Sequence, residues 1–382
     1  MTTVQPRTQL VPASGAWTPA QGPGARRFAP LGDLPLESGG VLPDVTLAYE
    51  TWGELSPAGD NAVLVLHALT GDSHVRGPAS AAHPTAGWWE ELVGPGRPVD
   101  TDRYFVVAPN VLGGCQGSTG PASPAPDGRR WASRFPGITV RDQVAAEALL
   151  SRALGIRRWA LVIGGSMGGM RALEWAATLP DQVERLAVIA TSARASADQI
   201  AWNSAQLAAI DADGGFLGGD YYDQPDGSGP HRGLGVARRI AHTTYRSALE
   251  LEERFGNRLQ PGPDGLDQPD YPQVTSYLDH HAAKLARRFD ANSYRVLVRT
   301  MNSHDVGRGR GGTAAGLARI TARTLVVAIE SDRLFPVPLV REIRDGVPGA
   351  TWRVETSPIG HDAFLVTNPD LERWIAHLLE DA

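Results

Sequence analysis

Six residues, Gly164-Gly-Ser-Met-Gly-Gly169, constrain this chain more than any other stretch. They follow the apolar run Trp159-Ala-Leu-Val-Ile163 and lead into Met170-Arg-Ala-Leu-Glu-Trp-Ala-Ala177, a helical stretch stopped by Pro180. A short apolar run bounded by turn residues reads as a strand buried on both faces. A serine set between glycines, with a strand before it and a helix after it, predicts a sharp turn. Such a turn forces strained backbone angles on the serine and brings neighbouring chain so close that flanking side chains would clash. It lifts Ser166 Oγ clear of the sheet and places the free N–H groups of a helix N-terminus behind it. The stretch has no Gly-Lys-Ser/Thr ending and no G-x-G-x-x-G spacing, so a phosphate loop is the poorer reading.

The rest of the chain supplies the frame for such a turn. Val45–Thr51 alternates as a strand, and Ala62–Leu66 and Tyr104–Ala108 are short continuous apolar runs. Residues 140–154 form an amphipathic helix stopped by Gly155, and Leu186–Ala190 is a further strand. From 191 to 316 the strand signal disappears, and four helical stretches stand out near 196–211, 233–247, 274–290 and 291–303. Gly/Pro/Asp-rich connectors at 212–232 and 258–272 separate them. Strands return at Thr324–Ile329 and Thr351–Glu355, and a last helix opens at Asn368-Pro369. These readings predict an α/β core at 26–190 and 317–382, a helical lid domain at 191–316 and a disordered tail at 1–25. The central sheet is expected to be mostly parallel.

A serine hydroxyl is a weak nucleophile at neutral pH and needs a base, which in turn needs an orienting acid. In the α/β-hydrolase arrangement these follow in the order Ser, acid, His, with the acid and the base each after a late strand. Strand 324–329 runs into Glu330-Ser-Asp332, and strand 351–355 runs into Ile359-Gly-His361-Asp362. Asp332 and His361 are the candidates, with Glu330 as the competing acid. His304-Asp305 is another His-Asp pair but lies in the insertion. His67, His74 and His83 precede the serine, and His280 and His281 fall mid-helix. Two backbone donors are needed for the oxyanion: Met167 follows the nucleophile, and Leu69 lies in the loop after strand 62–66. Asp362 also has a bland reading, as the cap of a short turn at 363–367.

Composition narrows the class of partners. A net charge of −6 with dispersed basic residues gives no reason to expect nucleic acid or an anionic membrane. No apolar run approaches the roughly 20 residues that span a bilayer. The single cysteine, Cys115, excludes an internal disulfide and fits a reducing cytoplasm. It lies in a Gly-rich loop without a strand-turn-helix context and reads as a packing residue. The histidines, acids and cysteine show no metal-ligand spacing, and no cofactor is implied.

The chain resembles the homoserine O-acetyltransferase family of α/β-hydrolase-fold acyltransferases. The stretches that carry this are His67-Ala-Leu-Thr-Gly-Asp-Ser-His74, Gly87-Trp-Trp89, Asn110–Pro121, Ser133-Arg-Phe-Pro136, Gly164–Trp175, Ala195–Ile200 and Asn302–Gly312. The resemblance covers nearly everything after about residue 30. It implies Ser166 as nucleophile, Asp332 as acid and His361 as base. It further implies that Arg238 and Asp362 bind the amino acid, with Arg239 the neighbouring alternative. The implied partners are acetyl-CoA and L-homoserine, in a ping-pong reaction of methionine biosynthesis, in a cytoplasmic homodimer joined through the lid helices. Succinyl-CoA as donor, with Arg308 or Arg310 as the extra cation, or serine as acceptor are alternatives. An esterase on the same fold is a more distant one.

Overall fold

The computed structural model describes residues 10–262 and 270–380. Eight strands form one sheet: β1 (Arg27–Pro35), β2 (Val41–Trp52), β3 (Ala62–Leu66), β4 (Phe105–Pro109), β5 (Trp159–Gly165), β6 (Arg185–Ile189), β7 (Arg323–Ile329) and β8 (Thr351–Glu355). Their spatial order is β1-β2-β4-β3-β5-β6-β7-β8. The pairs from β4 through β8 are parallel, while β2 runs antiparallel to both β1 and β4.

The alternation of side chains along a strand splits the interior into two cores. Leu64, Val162, Val188 and Val326 face one core, shared with α1 (Val140–Ala153) and α2 (Met167–Thr178). Val63, Leu161, Ala187 and Leu325 face the other, together with Trp89 and Phe364. A strand buried on both faces is apolar throughout, which is why these four were legible in the sequence.

Between β6 and β7 come α3 (Ala197–Asp211), α4 (His231–Tyr245), α5 (Ala248–Phe255), α6 (Gln273–Arg288), α7 (Ala291–Asn302) and α8 (Thr313–Leu317). The four helices expected there are present. α5 was not expected, nor was the two-residue pairing of Leu259–Gln260 with Tyr271–Pro272. The chain closes with α9 (Val337–Gly346) and α10 (Pro369–Glu380), where Leu371 N donates to Asn368 Oδ1 at 3.0 Å as the Asn-Pro start requires. No described helix is long and apolar enough to cross a membrane.

The expectation of a disordered tail needs correction. Residues 1–9 of it lie outside the described residues, as do 263–269 of the second connector and 381–382 of the core. Residues 10–25, however, pack along the body. Gly15 N donates to Phe289 O at 3.2 Å, and Trp17 N donates to Cys115 O at 2.9 Å. Ser14 Oγ donates to Asp290 Oδ1 at 2.7 Å. The segment lacks an apolar core of its own and is held by backbone and side-chain hydrogen bonds, which leave no periodic signal in sequence.

Candidate active site

All four elements of the site lie just beyond the carboxyl ends of parallel strands, where open α/β sheets bind ligands. Leu69 follows β3, Ser166 follows β5, Asp332 follows β7 and His361 follows β8.

Ser166 sits between β5 and α2 with φ 56° and ψ −125°. An L-residue at positive φ is strained, and it persists only where its surroundings fix it. Ser166 N donates to Ile189 O at 3.0 Å, and Thr191 Oγ1 donates to Ser166 O at 2.8 Å. The glycines are needed for close approach. A Cβ on Gly168 would lie 2.0 Å from Leu66 O, and one on Gly164 would lie 2.4 Å from the Gly168 carbonyl carbon. Met167, the first residue of α2, follows the serine at the helix N-terminus.

Asp332 is 4% exposed and uses both carboxylate oxygens. Oδ1 accepts from Leu334 N at 2.8 Å and Phe335 N at 2.9 Å, and Oδ2 lies 2.7 Å from His361 Nδ1. The competing Glu330 is exposed. His361 opens a 3₁₀ turn, His361–Leu365, and its ring stacks on Phe335 with centroids 5.1 Å apart. Burial alone would push the imidazole down. The Asp332 charge and hydrogen bond outweigh it and hold His361 above its usual range. Gly360, not Asp362, caps this turn.

Two of the competing histidines are held by structural contacts. His67 Nδ1–H donates to Ala68 O at 2.8 Å, and Nε2 accepts from Val111 N at 3.0 Å. Burial, aided by Arg171, pushes it down to about 3, so it stays neutral and shapes the loop carrying Leu69. Beneath that loop Arg171 Nη1 donates to His67 O at 3.2 Å and its Nη2 lies 2.7 Å from Glu147 Oε1. His304 lies 3.1 Å from Ser192 O. Burial raises the Cys115 thiol to about 12, which makes it a packing residue rather than a nucleophile.

A cavity of about 180 Å³ opens beside Ser166. Ser166, His361, Leu69, Arg238 and Asp362 all line it. Of the two arginines, Arg239 pairs with Asp279 of α6, while Arg238 faces the cavity over the Tyr245 ring, 5.4 Å from its centroid. Asp362 Oδ2 lies 3.5 Å from Arg246 Nε, and burial raises its carboxyl despite that pairing. Arg308 and Arg310 are engaged elsewhere, by Glu37 and Glu174. Sequence reasoning missed Thr70, Asp72, Tyr245 and Arg288, which line the same cavity. Thr70 and Asp72 lie in the flagged stretch 67–74 without having been given a role. Arg288 had a signal in the helix phase, since Tyr277, His281, Leu285 and Arg288 fall on one face of α6.

One grouping of metal-ligating types was not expected from spacing. Glu50, His74 and His83 are buried together. His74 Nδ1 lies 2.9 Å from Glu50 Oε2, and Glu50 Oε1 accepts from Ser73 Oγ at 2.9 Å. His83 Nε2 accepts from Ala25 N at 3.1 Å, which in the neutral ring puts the proton on Nδ1, the atom facing Glu50. That tautomer does not offer the inward nitrogen to a cation. The cluster reads as a hydrogen-bonded support of the loop before Trp88.

Comparison with known proteins agrees with this geometry. The family described as alpha/beta hydrolase fold matches residues 61–367. A homoserine O-acetyltransferase of Thermobifida fusca (strain YX) is 60% identical over 374 residues, covering 97% of this chain and 98% of that one. Another from Leifsonia xyli subsp. xyli is 58% identical, covering 93% and 89%. Among solved structures, homoserine O-acetyltransferase from Bacillus anthracis superposes with a TM-score of 0.83 at 25% identity, covering 93% of this chain and 97% of that one. Esterase E22 superposes with a TM-score of 0.84 at 26% identity, covering 93% and 99%. Structural likeness thus reaches both transferases and esterases, whereas identity above one half across nearly the whole length decides between them: the chain belongs to the homoserine O-acetyltransferase family.

Proposed function

We propose that this protein transfers the acetyl group of acetyl-CoA to the hydroxyl of L-homoserine through an acetylated Ser166. The observation that carries the reading is the cavity wall. Beside the nucleophile and base it presents a guanidinium, Arg238, and a carboxylate, Asp362, the two charges that a zwitterionic amino acid requires.

The steps follow from the groups in place. His361 takes the proton of Ser166 Oγ as the oxygen attacks the thioester carbonyl. Negative charge on the carbonyl oxygen is met by the Met167 and Leu69 amides. The tetrahedral intermediate collapses, the C–S bond breaks, and the proton on His361 passes to the departing thiolate. The homoserine hydroxyl then loses its proton to His361 and attacks the acetyl ester. The bond to Ser166 breaks, and the proton returns to Oγ. Asp332 keeps the His361 proton on Nδ1, so Nε2 is free to accept in both halves.

The acetyl donor is supported by a second void on Ser166. It measures about 20 Å³ and is lined by Leu69, Met170, Met301, Leu334 and Phe335 with Gln199, Asn203 and Gln206. That is room for about one water-sized group. Among the described residues no lysine or arginine lines it, so a succinyl carboxylate would find no cation there to offset its desolvation. The proposal includes a homodimer joined through the lid, supported by Val236 of α4 and Leu249 of α5, which are 46% and 57% exposed.

The test follows free thiol from acetyl-CoA with and without L-homoserine. The expected result is thiol release that depends on homoserine, is slower with succinyl-CoA, and is lost in Ser166→Ala together with the acetyl adduct in the intact mass. Release indifferent to homoserine would replace this reading with a thioesterase.

A further inference from the structure

Two guanidiniums from separate lid helices meet at one residue of the core. Arg238 Nη1, from α4, donates to Thr70 Oγ1 at 3.3 Å. Arg288 Nη2, from the last residue of α6, donates to Thr70 O at 2.8 Å. Both side chains line the cavity that contains Ser166 and His361. Like charges brought to one point repel, and burial sharpens this. Arg288 is accordingly held below its usual range, first by burial and also by Arg238, with Asp72 acting in the opposite sense.

The position of Arg288 is built rather than incidental. Its carbonyl accepts from Gln116 Nε2 at 2.8 Å. Behind it the 10–25 segment lies so close that a Cβ on Gly15 would come within 2.7 Å of Arg288 N. Its neighbour Arg287 is exposed. A main chain fixed from two sides aims one particular arginine into the cavity, next to a second.

We propose that Arg288 joins Arg238 as the second prong of a seat for the acceptor's α-carboxylate, with Thr70 setting the spacing between them. This deepens, and rests on, the acetyl-transfer reading given above. Two planar donors approaching one carboxylate from different helices fix its orientation as well as its charge. The anion also relieves the repulsion between the two cations, so the seat favours acceptors that carry a carboxylate over water and over neutral alcohols. In chemical terms the acceptor class is an α-amino acid with a side-chain hydroxyl.

The test uses the full-length enzyme, with Arg288→Gln, Arg288→Lys and, as a control away from the cavity, Arg239→Gln. Acetylation is read from the first-turnover burst of thiol with acetyl-CoA alone. Transfer is read as kcat/KM for L-homoserine and for 3-aminopropan-1-ol, which lacks the carboxylate. The expected result in Arg288→Gln is kcat/KM for L-homoserine down about 10- to 100-fold, through KM, from the loss of a charge-assisted contact, a larger loss than any in the burst. The change with 3-aminopropan-1-ol stays small, Arg288→Lys recovers part of the loss, and Arg239→Gln matches wild type. An equal loss with both acceptors, a loss of the burst as large as the loss in kcat/KM, or an unchanged KM for L-homoserine would overturn the assignment. A wild-type enzyme that neither acceptor accelerates would instead defeat the acetyl-transfer reading itself.

Discussion

Asp332→Asn changes one atom and should disable the base without disturbing the fold. Asp332 Oδ1 is committed to two backbone donors, Leu334 N at 2.8 Å and Phe335 N at 2.9 Å. In the amide, the oxygen must stay on those donors. Turning the NH₂ toward them would leave two buried N–H groups unpaired, at about 1–3 kcal/mol each. The NH₂ therefore takes the Oδ2 position, 2.7 Å from His361 Nδ1 in the parent. A donor facing Nδ1 makes that nitrogen the acceptor and puts the imidazole proton on Nε2. The nitrogen that should take the serine proton then already carries one. A wrong tautomer in this arrangement costs about 10⁴ in kcat, or about 5 kcal/mol of barrier. The assay is the single-turnover rate of thiol release from acetyl-CoA, with circular dichroism and urea melting as checks on folding. Less than a tenfold loss in a folded variant would show that Asp332 does not set the tautomer.

Three further outcomes are expected. His361 must be neutral to act as base and its imidazole is held above its ordinary value, so kcat/KM should fall as pH drops through a midpoint above 6.5. Asp332→Asn should move that midpoint down, and a profile flat from pH 8 to about 6 would contradict the assignment. Gly168→Ala drives a Cβ to 2.0 Å from Leu66 O, a backbone atom at the end of β3. It should cost about 3 kcal/mol in urea unfolding, and kcat should fall with it because Leu66 leads into the oxyanion loop. Glu147→Gln leaves Arg171, 0% exposed, without its carboxylate. It should destabilise by about 3–5 kcal/mol, measured by chemical denaturation.

What could be read from the sequence depended on where each determinant lies. β3, β5, β6 and β7 are buried on both faces, so their apolar runs announced themselves. β1 did not. It is an edge strand with Pro30, Gly32 and Pro35 and shifts of register around Gly32. An edge tolerates those residues, and they erase the alternation by which a strand is recognised. Ser166, Asp332 and His361 were legible because the fold orders them along the chain and places each after a strand. Arg288 is different. Its position depends on α6 packing on α4 and on the 10–25 segment pressing from behind, and both are tertiary facts. The sequence offered two adjacent arginines, and only the phase of the helix separates them. Glu50, His74 and His83 are close in the chain but meet through a loop with no repeating pattern, so no spacing rule could find them.

The division of labour between core and insertion explains how one fold can serve hydrolysis and transfer. In the proposed reaction, activation of Ser166 draws on the core: the strained turn after β5, the acid after β7 and the base after β8. These parts do not distinguish water from an alcohol, since either can surrender a proton to His361. Discrimination must come from what concentrates the acceptor at the acetyl ester. A hydroxyl held in reacting position acts at an effective molarity of about 10⁵ M or more, well above that of liquid water. Holding it requires contacts that water cannot use, and here these are charges. Arg238 and Arg288 come from the insertion, Asp362 and Asp72 from core loops, and all four face one cavity. A lid that supplied only apolar cover would slow water and alcohol alike. On the proposed reading, a lid that supplies guanidiniums to a cavity already bearing carboxylates selects for an acceptor with both charges, and so turns a general acyl-enzyme into a transferase.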